Sequence, residues 1–269
     1  PAMIAEDLKN TETTDDVISE VSAVNGYLNF FVDNKVMSAT VLDEARDDNF
    51  GKSDIGNGKT ICIDYSSINI AKPFHIGHLG TTAIGGSLYK LYKNLGYNVV
   101  GINHLGDWGT QFGKLIVAYD LWGDKEKIEK GGVEALQEIY VKFHQEEVDH
   151  PELTDQARAW FAKIEQGDER ALEMFYWFKD ITLKEVNKIY KRLNVTFDSY
   201  NGESFYNDKM QPVVDELDQK GLLKTSEGAK IVDLEEYGMS PCLILKADGS
   251  SLYATRDLAA AIYRKNTYD

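Results

Sequence analysis

The sequence predicts an α/β fold: a doubly wound parallel sheet carrying a helical insertion, preceded by part of a small α+β N-terminal domain. Three observations predict it. The apolar run Ile61-Cys62-Ile63-Asp64-Tyr65 is followed by a helical stripe and then by a second apolar run, Val99-Val100-Gly101-Ile102. Residues 132–193 carry apolar side chains at helical spacing, and residues 15–32 read as short strands around Gly26 with too little bulk for a core of their own.

The elements follow in order. A helix over Ile4–Leu8 leads to Val17, Ile18 and Val21, the Gly26 turn and the apolar Tyr27–Val32, so residues 1–35 are expected to be the end of a truncated N-terminal domain. Residues 36–58, a polar helix over Val36–Arg46 and then Gly51, Gly56 and Gly58, read as a linker. From residue 59 to 269 one larger domain, incomplete at its C-terminus, is expected. Its first strand, Ile61–Tyr65, should be buried, and Ile84, Leu88, Leu91 and Leu95 should form the core face of the next helix before Gly96 stops it. Strand, helix and strand make a βαβ crossover, and ligands in such sheets lie beyond the carboxyl ends of the strands. Residues Ser66–His78 and Asn103–Trp108 should therefore share one crevice.

The helical insertion is expected over about residues 125–220, with Leu136, Ile139, Tyr140 and Phe143 on one stripe and Phe175, Phe178, Ile181, Leu183, Val186 and Ile189 on another. The cluster Met174–Phe178 is read as core, because an aromatic stripe at this spacing is more often packing than a ligand platform. A helix from Pro212 to Leu217, strands at Ile231–Asp233 and Cys242–Leu245, and a hairpin at Asp248-Gly249 pairing Leu243–Leu245 with Ser251–Tyr253 come next, before a helix over Arg256–Tyr263.

Bulk composition narrows the function. With 29 Lys and Arg against 44 Asp and Glu, the formal net charge of -15 argues against nonspecific nucleic-acid affinity, and no DNA partner is expected. No run of eighteen apolar residues occurs, and Pro1–Asn10 lacks the basic-then-apolar order of a secretion signal, so a cytoplasmic location without membrane partners is expected. Cys62 and Cys242 stand far apart and suggest neither a disulfide framework nor a cysteine metal site.

The chemistry-bearing segment is the loop Ser66-Ser67-Ile68-Asn69-Ile70-Ala71-Lys72-Pro73-Phe74-His75-Ile76-Gly77-His78, which leaves a strand and enters a helix. Free N–H groups and the helix dipole at such a junction attract phosphate. His75 and His78 share a face of the first turn, and Gly77 lets a nucleotide approach the backbone. A metal held by these histidines and His104 is disfavoured, because no carboxylate or thiol completes the set and Lys72 would repel a cation; no protein-bound metal is expected. Phosphate binding is preferred over a pair of structural histidines. Asp107 is read as structural or supporting.

His75-Ile76-Gly77-His78 matches the signature of class I aminoacyl-tRNA synthetases. With Ser66–Phe74 ahead of it, Asn103-His104-Leu105-Gly106-Asp107-Trp108-Gly109-Thr110-Gln111 behind it and Tyr253-Ala254-Thr255-Arg256-Asp257 later, the chain resembles arginyl-tRNA synthetase, and Gly26–Phe31 resembles the end of that family's N-terminal domain. The resemblance covers nearly the whole chain, most weakly in the helical insertion. It implies a Rossmann-like nucleotide-binding sheet, L-arginine, ATP and tRNA(Arg) as partners, and ATP as substrate with Mg2+. In that scheme Lys72, His75 and His78 are catalytic, and Lys72, His75, Gly77 and His78 bind ATP, Lys72 partly standing in for a weak second signature lysine. Ser67, Asn69, His78, Asn103, Tyr253 and Asp257 would bind arginine, Asp257 as the carboxylate for the guanidinium and Tyr253 as a flat wall. From spacing alone Asp257 is equally a helix-start carboxylate facing the dipole.

Two positions depart from the family pattern: Gly80 stands where many relatives carry arginine, and Ile68 where many carry proline. The lysine-bearing second signature and the helical anticodon-binding domain are not found in these residues, so the chain alone is expected to be inactive. Two other readings stay open: a different nucleotidyltransferase using the same His-Ile-Gly-His loop, and a noncatalytic interaction module.

Overall fold

The computed structural model describes residues 1–11 and 15–268. The chain divides into two units, Pro1–Ser53 and Asp54–Asp269. In the first, helix α1 (Ala2–Thr11) precedes an antiparallel hairpin of β1 (Ile18–Val24) and β2 (Tyr27–Val32), paired from Ile18↔Val32 to Val24↔Tyr27. Asn25 and Gly26 turn the chain with φ of 51° and 83°, the left-handed pair that two-residue hairpins need. Helix α2 (Asn34–Glu44) then starts on Asp33, whose Oδ1 accepts the N–H groups of Lys35 and Val36 at 2.9 and 3.0 Å. Of the hairpin's aromatic residues, Tyr27 and Phe30 are 74% and 51% exposed.

In the second unit β3 (Thr60–Asp64) and β4 (Asn98–Ile102) pair in parallel from Thr60↔Asn98 to Asp64↔Ile102, with α3 (Ile76–Asn94) as the crossover between them. The expected βαβ unit is therefore present, but its burial differs from expectation. Cys62 and Asp64 of β3 are exposed rather than buried, and the stripe assigned to the core is largely on the surface, Ile84, Leu88 and Leu91 being 65%, 40% and 54% exposed. The helix approaches through its other face, where His78, Thr82, Gly85 and Gly86 are buried. A side chain at Gly85 would fall on the Tyr65 ring, and a Cβ at Gly86 would lie 2.7 Å from Val195 Cγ2. Apolar periodicity marks the greasier face of a helix; close packing here selects the slimmer one.

Helices α4 (Gln111–Trp122), α5 (Lys125–Glu146), α6 (Glu152–Gln166) and α7 (Glu169–Leu193) follow. Phe112, Leu115, Ile116, Leu136, Phe175 and Phe178 form the centre of the main core, joined by Ile68, Ile70 and Leu105 from the loops beyond the strands. Both expected stripes supply it, and the Met174–Phe178 cluster is core as expected, except that Tyr176 is 59% exposed. Helix α5 is broken at Gly132, which has φ 61° and ψ -137°.

Beyond a 3-10 turn at Glu203–Lys209, helix α8 (Met210–Gln219) leads into an antiparallel sheet of β5 (Leu223–Ser226), β6 (Ala229–Val232) and β7 (Cys242–Leu245), and helix α9 (Tyr253–Tyr268) completes the order. Strand β5 was not expected. The hairpin expected at Asp248-Gly249 shrinks to one bridge, Leu245↔Ser251, and β7 pairs with β6 instead. Asp248 Oδ1 accepts both Ser250 N–H (2.9 Å) and Ser250 Oγ–H (2.6 Å), and Thr255 Oγ1 donates to Ile244 O at 2.6 Å. The tight turn thus feeds a helix that folds back onto β7, and Tyr253 opens α9 rather than ending a strand. No helix among the described residues is long and apolar enough to cross a membrane.

Candidate active site

The loop after β3 and the loop after β4 are joined where the parallel strands end. Asn69 bridges to Gly106, and Ile70 N–H donates to Gly106 O at 3.1 Å. Ser66, Ser67 and Ala71 hold φ of 72°, 49° and 58°, conformations that side-chain-bearing residues rarely adopt. Hydrogen bonds from buried side chains hold them there. Tyr190 of α7 places its hydroxyl 2.7 Å from Ser66 Oγ, Asn103 Oδ1 accepts Ser67 N–H at 3.1 Å, and Thr182 Oγ1 accepts Ala71 N–H at 2.9 Å. Asn103 has no exposed surface, and its Nδ2 donates to the Tyr190 hydroxyl at 2.9 Å, so both ends of its amide are engaged inside the protein. Ser67 Oγ donates to Asp64 Oδ1 at 2.8 Å.

At the start of α3 the two histidines cap each other's turn. His75 Nδ1 accepts Gly77 N–H at 3.1 Å, and His78 Nδ1 accepts His75 N–H at 3.3 Å. The rings stack with centroids 3.8 Å apart and planes inclined by 23°. A ring nitrogen that accepts a main-chain N–H carries no proton, so each neutral imidazole bears its hydrogen on Nε2. Burial, and then the neighbouring His75, lower the pKa of His78, which keeps it neutral at pH 7. The result is a pair of oriented Nε2–H donors at a helix N-terminus, one exposed and one buried. A Cβ on Gly77 would lie 3.0 Å from His75 Cε1, so a larger residue would crowd the first ring.

Lys72 is exposed and lines a cavity of about 450 Å³ between the loop, α5 and α7, shared with Phe74, Lys130, Glu134 and Glu185 and not lined by either histidine.

A second cleft, of about 660 Å³, is lined by Trp108, Glu165, Glu203, Asn207, Tyr253 and Arg256 among others. Tyr253 stands at its edge, 72% exposed. Asp257 is exposed and does not line it, yet its charge reaches both Glu203 and His104. Burial raises the pKa of Glu203, with Asp107 and Asp257 adding to the rise and Arg256 opposing it. Burial likewise raises Glu165. The cleft thus holds two carboxylates, Glu203 and Glu165, whose ionised form burial disfavours, beside the cationic Arg256 and Lys246. Glu203 was not singled out from the sequence; it lies in a 3-10 turn without periodicity, and only the fold shows it beside Tyr253.

Asp107 is fully buried and paired with Lys179 of α7 at 2.6 Å. Arg264 donates to Asp64 Oδ2 at 2.8 Å and reaches His104 Nδ1 at 3.3 Å, while the His104 ring stacks on Tyr206 at 5.5 Å. Among the described residues no group of three His, Cys, Asp or Glu side chains is placed to hold a metal ion.

Residues 39–269 match the family model described as tRNA synthetases class I (R), catalytic domain. The chain belongs to the class I arginyl-tRNA synthetase family. It is 58% identical over 272 residues to the arginine–tRNA ligase of Alkaliphilus metalliredigens, and 58% identical over 271 residues to that of Clostridium beijerinckii. All of this chain is covered in each case but 48% of the relative, so the chain spans about half the length of the curated relatives it matches. Among solved structures, Thermus thermophilus arginyl-tRNA synthetase aligns with a TM-score of 0.68 at 20% identity, covering 100% of this chain and 45% of the other. The Plasmodium falciparum enzyme aligns with a TM-score of 0.64 at 23% identity, covering 98% and 46%. These likenesses establish the Rossmann-like fold.

Proposed function

We propose that this chain is the ATP- and arginine-binding part of an arginine–tRNA ligase. In the first step the arginine carboxylate attacks the α-phosphorus of ATP, forming arginyl-adenylate and releasing pyrophosphate. In the second a terminal ribose hydroxyl of tRNA(Arg) attacks the arginyl carbonyl, and AMP leaves. ATP enters with Mg2+ on its phosphates.

The observation that carries this reading is the reciprocal capping of His75 and His78. It leaves two Nε2–H donors preorganised for the charge that builds on phosphate oxygens, a geometry worth a few kcal/mol per donor, on the order of what removing a preorganised donor costs. His78 is kept neutral by its lowered pKa, so its ring contributes a hydrogen bond and not charge. Lys72 would supply positive charge only after its side chain leaves the cavity it now lines. Gly77 keeps the approach to the ring open.

For arginine, Glu203 and Tyr253, which line the cleft, are the carboxylate and the wall assigned to the guanidinium, and Asp257, exposed outside that lining but acting electrostatically on Glu203, is the second carboxylate. Ser67 and Asn69, with His78, receive the amino and carboxylate groups. Asn103 acts through Ser67, since its own amide is occupied.

The test is arginine- and tRNA-dependent ATP–pyrophosphate exchange by the full-length polypeptide, for which we propose a cytoplasmic location. Exchange is expected there and not with the 269-residue chain alone; no exchange in the full-length protein with arginine tRNA present sinks the reading. Loss of arginine binding in Asp257→Ala separates it from another nucleotidyltransferase, which has no use for that carboxylate. ATP binding by the chain separates it from a noncatalytic interaction module.

A further inference from the structure

Asp107 is the most enclosed carboxylate near the arginine cleft, and nothing in the reaction uses it. It has no exposed surface, and Lys179 at 2.6 Å neutralises it from helix α7. Its two oxygens also take Ser204: Oδ1 accepts Ser204 N–H at 2.8 Å, and Oδ2 accepts Ser204 Oγ–H at 2.8 Å. Removing either partner would leave a buried charge or a buried polar group unpaired.

The residue between Gly202 and Ser204 is Glu203. Its N–H donates to Leu105 O at 2.9 Å. Residues 105–107 therefore hold residues 203–204 at three points: a carbonyl and two carboxylate oxygens. Gly202 admits no side chain, because a Cβ there would lie 2.5 Å from Leu105 O and 2.6 Å from Asp107 Oδ1. The clasp has no slack, and Glu203 lines the cleft directly beside it.

We infer that the Asp107–Lys179 pair is a positioning unit for arginine selection: it fixes the turn that carries Glu203, and thereby the point at which the cleft meets a guanidinium. This rests on the arginine reading above. Asp107 itself touches no substrate; it acts through Ser204 and Glu203, and Lys179 makes the helical insertion part of the specificity apparatus. A carboxylate displaced by a fraction of an ångström loses the parallel two-bond match to a guanidinium while still offering charge, so the defect falls on selectivity more than on attraction.

The experiment measures equilibrium binding of L-arginine, L-citrulline and ATP to the full-length polypeptide carrying Asp107→Asn, Ser204→Ala, Glu203→Gln and the Asp107→Asn/Glu203→Gln double change. Asparagine keeps the Ser204 N–H bond but loses an acceptor for Ser204 Oγ and the charge for Lys179. In Asp107→Asn arginine affinity should fall by about 10-fold or more and its preference over citrulline should shrink, with ATP affinity changed less than about 3-fold. In the Glu203→Gln background Asp107→Asn should add less than about 2-fold, the non-additivity expected of residues acting through one group. Multiplying losses, or equal weakening of arginine and ATP, would overturn the proposal. Should Asp107→Asn fail to fold, Ser204→Ala carries the same cycle with a smaller first loss. If the unaltered protein binds no arginine, the arginine reading fails, and hydrogen exchange still decides the clasp: the Ser204 amide must exchange faster in Asp107→Asn while amides of α4 keep their rates, and unchanged exchange at Ser204 refutes it.

Discussion

The Tyr190 hydroxyl sits 2.7 Å from Ser66 Oγ, across a sequence separation of 124 residues, and ties the last turns of α7 to the residue that opens the signature loop. The same hydroxyl receives Asn103 Nδ2, so one oxygen from the insertion serves both loops of the crevice. Tyr190→Phe should therefore lower stability by about 1–3 kcal/mol, the cost of leaving buried polar partners unsatisfied. Denaturant unfolding measures it; a change near zero would mean that Ser66 and Asn103 find other partners.

His75 has two duties, a cap through Nδ1 and a donor through Nε2. Asparagine can cap a helix but cannot place a donor where Nε2 lies. His75→Asn should keep the unfolding free energy within about 1 kcal/mol of the unaltered protein, the scale of a helix cap. Its pyrophosphate exchange rate should nevertheless fall by about 10²-fold, the scale of one preorganised donor. Thermal unfolding and exchange kinetics on the same variant check the two halves separately, and parallel losses would contradict the division of labour.

His78 should titrate below 6.5, because burial and the adjacent ring disfavour its cation. Between that lowered pKa and 6.5 the unfolded chain binds more protons than the folded one, so this residue's contribution to stability is complete above 6.5 and declines as pH falls through the window. Protonation of Nδ1 would also end its acceptance of His75 N–H. An NMR titration of the ring, with a midpoint at or above 6.5, is the contrary result.

Arginine affinity should depend on pH through Glu203. Its pKa is raised above 4.5 by burial and by Asp107 and Asp257, so it gains protons at a pH where ordinary glutamates are still charged. A guanidinium needs the ionised form. Affinity should fall as pH drops towards that raised pKa, and Glu203→Gln should flatten this part of the profile; calorimetric titration at a series of pH values reads it out.

Two glycines should respond oppositely to alanine. At Gly113 a side chain would collide with the Ala157 carbonyl where α4 crosses α6, so Gly113→Ala should destabilise by about 1–3 kcal/mol. At Gly80, inside α3, nothing lies within 4 Å of a Cβ, and Gly80→Ala should stabilise by about 0.5–1 kcal/mol. Equilibrium unfolding of both variants tests the pair.

The legible parts of the sequence were those with local causes. The Asn25-Gly26 turn, the stripe of Phe175 and Phe178, and the strand–helix–strand order around His75 and His78 are all written in neighbouring residues. The illegible parts depend on distance in the chain. Burial of α3 through Gly85 and Gly86 is decided by Tyr65 and Val195, and the place of Glu203 is decided by Leu105 and Asp107. The failed strand at Ser251–Tyr253 is an intermediate case: the Asp248-Gly249 turn formed, but Thr255 reached back to Ile244 and claimed the chain for a helix. Lys72 lines a cavity whose walls come from α5 and α7 as well as from its own loop, which no pattern in its neighbouring residues announces.

Helix α7 bonds to the crevice through Lys179, Thr182 and Tyr190. At about 1.5 Å per residue it works as a ruler, setting the span from the Glu203 turn to the Ser66 bend. Substitution at any one rung weakens one grip, but a single inserted residue between Thr182 and Tyr190 would swing the tyrosine by about 100° around the axis, since a turn takes about 3.6 residues. This stretch of polypeptide can therefore drift in composition far more freely than it can change in length.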